Sequence, residues 1–356
     1  MKLKKKEGIS MKRFWAGLTI AALTLACAKH TLGRADGSEP LRLVQSITIP
    51  GVPTYPYTDH LGIDLNGHRL FATMQGAKSV VVIDFSSGKV VQRIPQENPH
   101  GVFYRDDLKR IYVIDEDPTL PGVRVFDGND YHPIKSIKLS ARSDSAAYDP
   151  QKKLLYVVNG GEAAKLEYSY VSIVDTTSME DIGDIKVEGG SLEQLVIDES
   201  SPLIYVAVED KNEVAVIDRE ARSVVKTWPI TKSKLPAAIT LDEVHHRLFV
   251  GCRTADLHGH IIVFDTNTGK EIDALPIGGH VDQLSFDSAA QRIYASDGLA
   301  IDVYHEDDPN RYTLIGTADT ALMSKTGLLA PEIHRYFAAV PQIGSQEAKI
   351  LVFQVQ

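Results

Sequence analysis

Residues 242–250 read Asp-Glu-Val-His-His-Arg-Leu-Phe-Val: an acid, a short polar turn, then a basic residue leading into an apolar stretch that carries an aromatic. The same grammar returns six more times, as Asp64-LNGHRLF, Arg105-DDLKRIY, Asp149-PQKKLLY, Asp198-ESSPLIY, Asp287-SAAQRIY and Ala330-PEIHRYF. The closing aromatics are Phe71, Tyr112, Tyr156, Tyr205, Phe249, Tyr294 and Phe337, with successive gaps of 41, 44, 49, 44, 45 and 43 residues. A period near 44 built of short strands predicts a propeller blade, because helical repeats would carry a 3.6-residue spacing instead.

Working outward, each unit continues into a third apolar strand that tends to end in Asp, as in Val80–Asp84, Val123–Asp127, Val171–Asp175, Val214–Asp218 and Ile261–Asp265. A polar turn then leads to a fourth strand in six of the units, from Val90–Ile94 to Tyr312–Ala318. The seventh unit stops at Gln356, one strand short, while an orphan strand, Leu41–Ile49, lies upstream of the first. Inserting that strand as the missing outer one closes the ring and removes the exposed edges of an open array. The predicted fold is all-β: a seven-bladed β-propeller over 41–356, its last blade completed by the N-terminal strand.

Tyr156-Val157-Val158-Asn159 is one residue from the Tyr-Val-Thr-Asn signature of YVTN propeller repeats, and Asp242–Val250 is similar to the equivalent element of YncE-type exported propellers. The resemblance spans all seven blades, about Leu41 to Gln356, and implies the propeller fold and export.

The first 28 residues read as a signal peptide, with residues 29–40 as a linker. A basic stretch ending at Lys12-Arg13 precedes the apolar run Phe14–Ala26 and then Ala26-Cys27-Ala28. The run is too short to span a bilayer, and A-x-A suits signal peptidase. The rival is acylation of Cys27 in a lipoprotein, against which stands Thr24 where such signals prefer Leu. Met11 is as good a start as Met1. A periplasmic or extracellular location follows, with no transmembrane span. Removing the leader's local excess of +5 from the chain's −9 leaves −14 on the mature protein, which disfavours nucleic acid as a partner. Cys27 and Cys252 are the only cysteines, so no disulfide framework is expected, and Cys252 reads as a buried, inert thiol.

Let strands A to D run outward from the channel of each blade. Loops A–B and C–D then emerge on one face, and B–C and D–A on the other. The A–B turns are monotonous, whereas the B–C loops vary from Ser296–Gly298 to Asn159–Ser169. Function concentrates on variable loops carried by a rigid scaffold, so the D–A/B–C face is the candidate. The residue twelve before each closing aromatic marks the start of the inner strand at that mouth: Asp59, His100, Asp144, Glu193, Ala237, Asp282 and Lys325. The next residue round gives His60, Gly101, Ser145, Gln194, Ala238, Gln283 and Thr326.

Asp59, His60, His100 and Asp144 fall on three consecutive blades, and His280 joins Asp282 from the opposite arc. Two imidazoles and two carboxylates suit Zn²⁺ or another divalent metal. The same groups also suit a wet channel bridged by water. Tyr55 and Tyr57 are candidates for the wall of an organic-ligand site. His258–His260, Asp115–Asp117 and Glu306–Asp308 read as solvated loop or turn clusters, and His246 as a turn residue. No nucleophile elbow, phosphate loop, H-E-x-x-H or dinucleotide fingerprint is present. Only Trp228 remains after leader removal, a poor match to Trp-rich quinoprotein propellers.

The expectation is therefore a monomeric module that binds a small molecule or protein on the variable-loop face. The alternative is an enzyme resembling the lactonases and lyases built on such propellers, with acids, His and sometimes a metal at the mouth.

Overall fold

Five of the seven A–B turns are closed by the aspartate that opens them, the exceptions opening on Arg105 and Ala330. Asp149 Oδ1 accepts the amides of Gln151 and Lys152 at 3.0 and 2.9 Å, and Asp242 Oδ1 those of Val244 and His245 at 3.0 and 3.3 Å. The chain then turns back through a left-handed residue three before the closing aromatic: His68, Lys109, Lys153, His246, Gln291 and His334 have φ between 49° and 60°. Blade 4 places Pro202 there, whose ring cannot adopt positive φ. The Asp at the end of the third strand repeats the device, as Asp218 does for Glu220 and Ala221. These aspartates are scaffold.

The computed structural model describes residues 39–254 and 258–356. The leader with Cys27, and the linker as far as Ser38, lie outside the described residues. Seven four-stranded antiparallel sheets follow in chain order. Blade 1 runs Leu61–Asp64, Arg69–Met74, Ser79–Asp84 and Lys89–Pro95, and blade 5 runs Pro236–Asp242, Arg247–Cys252, His258–Asp265 and Lys270–Gly278. Blade 7 is Gly327–Ala330, Arg335–Val340 and Lys349–Val355, completed by Leu41–Thr48. That closing pair is antiparallel, with Leu41 opposite Val355, Ile47 opposite Ile350 and a bulge between Leu43 and Gln45.

The core lies between blades. All seven closing aromatics are at most 1% exposed, and apolar residues of neighbouring sheets interlock around them. Leu41 and Ile47 of the closing strand are each 3% exposed, burial that contributes about 1.5–3 kcal/mol per side chain. No helix among the described residues is long and apolar enough to cross a membrane.

Candidate functional site

Three positions of the repeat meet at one end of the channel. The inner-strand starts bring Asp59, His100, Asp144, Glu193, Asp282 and Lys325 to the lining of a cavity of about 270 Å³. Of that ring only Ala237 stays out. The residue four past each closing aromatic, where the second strand leaves the sheet, adds Gln75, Glu116 and Arg253. The residue two before each inner-strand start adds Tyr57, Asn98 and Arg142. Gln75, Asn98, Arg142 and Arg253 lie outside the two inner-strand positions read from the sequence, although the same repeat encodes them.

The charges form an arc around the mouth. On the side of blades 1 to 3, His100 Nδ1 lies 3.0 Å from Asp59 Oδ2 and 3.2 Å from Asp144 Oδ1, and its Nε2 lies 3.2 Å from Glu116 Oε2. Nδ1 is buried and makes no aligned hydrogen bond with either aspartate. Gln75 and Asn98 approach Nε2 at 3.3 and 3.1 Å. Asn98 is itself held by the buried Asp115, which accepts its backbone amide at 2.7 Å. On the far side Glu193 and Asp282 each lie between two cations and share Arg253. Glu193 sits between Arg142 at 2.6 Å and Arg253 at 3.3 Å, and Asp282 between Arg253 and Lys325.

Asp59, His100 and Asp144 present ligand atoms within 4.8 Å of one another. His60 stands apart from that group, with Nε2 3.4 Å from the other Asp59 oxygen and Nδ1 3.1 Å from Gln283 Oε1. Gln194 completes this lower layer by donating to the Asp282 carbonyl at 2.7 Å. His60, Gln194 and Ser145 line both the mouth and a second cavity of about 210 Å³ deeper in the channel. Tyr55 and Tyr57 form the rim, edge to face at 5.6 Å, with Lys325 Nζ 5.2 Å from the Tyr57 ring centroid. His280 does not line the cavity. It stands against Gly298, whose φ of +99° and missing side chain leave room for it, since a Cβ there would sit 2.6 Å from that of His280.

Electrostatics follow from this packing. Burial opposes a charge on His100, but Asp144, Asp59 and Glu116 outweigh it and hold the imidazole well above its usual pKa. Burial would raise Asp144, yet His100 and Arg142 bring it down to about 2. Glu193 goes the other way: burial pushes it up to about 8 against the pull of Arg253. Perturbed groups concentrated in one cleft are the mark of a functional site.

No family model matches this chain, and no curated protein matches it in sequence. Solved structures do match in shape. One is a chain of Kuenenia stuttgartiensis hydrazine synthase, with a TM-score of 0.73 at 17% identity over 86% of this chain and 99% of that one. Another is a chain of a mitotic checkpoint complex, at 0.70 and 14% identity over 96% and 99%. The protein is a seven-bladed propeller. At these identities the likeness carries the fold alone.

Elsewhere, Cys252 is fully buried and its thiol is pushed up to about 12 by that burial, as an inert packing residue should be. His258 and His260 open the third strand of blade 5 rather than a loop. Glu116 is a mouth residue and Glu306 is completely buried, so neither is the solvated turn acid its neighbours suggest.

Proposed function

We propose that the mouth is a receptor site for a small polar ligand whose cationic end, an ammonium group or a chelated divalent ion, seats between Asp59, Asp144 and Glu116. One observation carries this: three carboxylates crowd one imidazole, with His60 and Arg142 standing further off at 3.4 Å from Asp59 and 3.9 Å from Asp144, whereas Glu193 and Asp282 opposite are each held between two cations. The unbalanced negative charge and the tyrosine rim favour a cation. For a metal, Asp59, His100 and Asp144 are the donors, and the proton on His100 competes with it, so affinity rises with pH.

His100→Ala should weaken a divalent ion, which loses a donor, and tighten an ammonium ligand, which loses a competing positive charge, while His60→Ala should weaken either event. His246→Ala, on the opposite face, should change nothing. Calorimetric titration with divalent ions and an amine library reads this out, and equal affinity in wild type and His100→Ala would sink the proposal.

A catalytic reading is favoured by one feature, the Glu193 carboxyl near 8 in the same cavity, a proton donor at neutral pH. If lactone or lyase substrates turn over, Glu193→Gln should cut kcat while leaving KM unchanged.

We also infer, from the leader and the YVTN-like repeat, that the chain is exported. The recovered protein should begin near Lys29 or carry an acylated Cys27 by mass spectrometry. An intact Met1 or Met11 overturns export.

A further inference from the structure

The A–B turn of blade 5 differs in charge from those of blades 1 and 3. In blade 1, Asp64 is neutralised by Arg69, whose Nη2 and Nε lie 2.7 and 3.0 Å from Oδ2. In blade 3, Asp149 takes the guanidinium of Arg219. Arg247 occupies the Arg69 position in blade 5 but turns away, donating to the Pro309 carbonyl at 2.6 Å and to Asn310 Oδ1 at 3.1 Å. Asp242 is left with His245, whose Nδ1 lies 2.7 Å from Oδ2. A second carboxylate, Glu306 from the third strand of blade 6 (Gly298–Asp308), lies 3.4 Å from the same Nδ1. Glu306 is 0% exposed, and neither of its oxygens has a hydrogen-bond partner.

Two buried carboxylates sharing one imidazole are short of positive charge, and burying such a group unpaired is costly. A divalent ion supplies the missing charge and satisfies both orphaned oxygens. We propose that Asp242, His245 and Glu306 form a transition-metal site of the Zn²⁺ type that ties the A–B turn of blade 5 to the third strand of blade 6.

The donor set is one nitrogen and two carboxylates, which favours Zn²⁺ over Ca²⁺ or Mg²⁺. The three ligand atoms already lie within 4.8 Å of one another. Bonds of about 2.0–2.2 Å place tetrahedral ligand atoms about 3.3–3.6 Å apart, so seating the ion asks only for small side-chain shifts. His245, with its side chain 29% exposed, provides both the adjustment and the entry from solvent.

The test uses the full chain, without a polyhistidine tag, in a His100→Ala background that removes a metal donor from the channel mouth. After treatment with a chelator, added Zn²⁺ should raise the melting temperature, and calorimetry should show binding. Adding His245→Ala should abolish the shift and weaken Zn²⁺ binding at least about tenfold, the scale on which lost metal-site partners act. Glu306→Gln should do the same, and either variant melting normally in chelator shows that the fold is intact. No Zn²⁺-induced shift in the His100→Ala protein, or a shift that survives His245→Ala, overturns the proposal. The result is independent of what the mouth binds.

Discussion

Asp144 and Asp149 flank one inner strand, Ala146–Asp149, and meet opposite fates. Asp149, 2% exposed, accepts two turn amides and pairs with the buried Arg219, so its oxygens are satisfied within the scaffold. Asp144 opens onto a cavity, where its nearest cation is an imidazole it shares with Asp59 and Glu116. Asp59 and Asp64, Glu193 and Asp198, and Asp282 and Asp287 repeat the contrast on other blades. One end of each strand uses carboxylates to shape turns. The other end leaves them facing one another across a channel, where their partners come from different blades.

The comparison breaks most severely if the ring opens. Deleting Leu41–Thr48 removes two buried aliphatic side chains worth about 3–6 kcal/mol together and bares the edge of Lys349–Val355. Thermal melting and light scattering should show a much less stable, aggregating protein with both ends disrupted. A truncated chain that melts like the full one would refute closure by this strand.

Next in size is Arg219→Ala. Leaving Asp149 buried without its cation should cost about 3–5 kcal/mol in denaturant unfolding while mouth binding persists. Asp144→Asn should reverse the pattern, abolishing mouth binding at a smaller cost than Arg219→Ala, because His100 keeps Asp59 and Glu116 as partners. If the two variants behave alike, the division of labour between strand ends is wrong.

A pH series sharpens the contrast further. Glu193, near 8 in the folded chain against an ordinary value near 4.5, takes up a proton on folding, so its contribution declines as pH climbs through that window. His100, held above its usual value, loses its stabilising charge in the same direction. Asp144, held at about 2, opposes them only below about pH 4. The melting temperature should therefore fall from pH 6 to pH 9, and Glu193→Gln should flatten the slope. Arg142, Arg253, Asp144 and Glu209 face this group and set the size of the effect. A slope unchanged in Glu193→Gln would mean that Glu193 does not titrate in that range.

The smallest effect belongs to the scaffold end. His246 is exposed and left-handed at φ 58°, a conformation that glycine adopts freely. His246→Gly should lie within about 1 kcal/mol of wild type on the stabilising side, because relief of the strained φ slightly exceeds the added entropy of the unfolded chain. A loss of more than 1 kcal/mol in chemical denaturation would assign the His246 side chain a role beyond the turn.

Much of this was legible in the residues. The closing aromatics and turn aspartates recur with a period near 44 and a single orphan strand precedes the first unit at Leu41, so counting finds the blades, the closure and the ring from Asp59 to Lys325. Tyr55 and Tyr57 were recognisable from their place before the first inner strand. Arg142 and Arg253 were not, because each matters through partners on another blade, and Glu116 was not, because its acidic neighbours made it read as a solvated turn. The departures of His60 and His280 from their nearest companions likewise depend on how side chains fill space, in one case beside Gln283 and in the other over Gly298.

By itself, then, the sequence determined the number of blades, the strand that closes them and the end of the channel where acids and imidazoles collect. These are properties of periodicity and chain direction, which local spacing transmits. Only the tertiary structure decided which charges meet. It put three carboxylates on His100, gave Glu193 two guanidiniums, turned Arg247 away from Asp242 and buried Glu306 beside it. Apart from Glu116 on His100, the pairs that meet are about 40 or more positions apart, at distances set by the packing of neighbouring sheets rather than by any pattern along the chain.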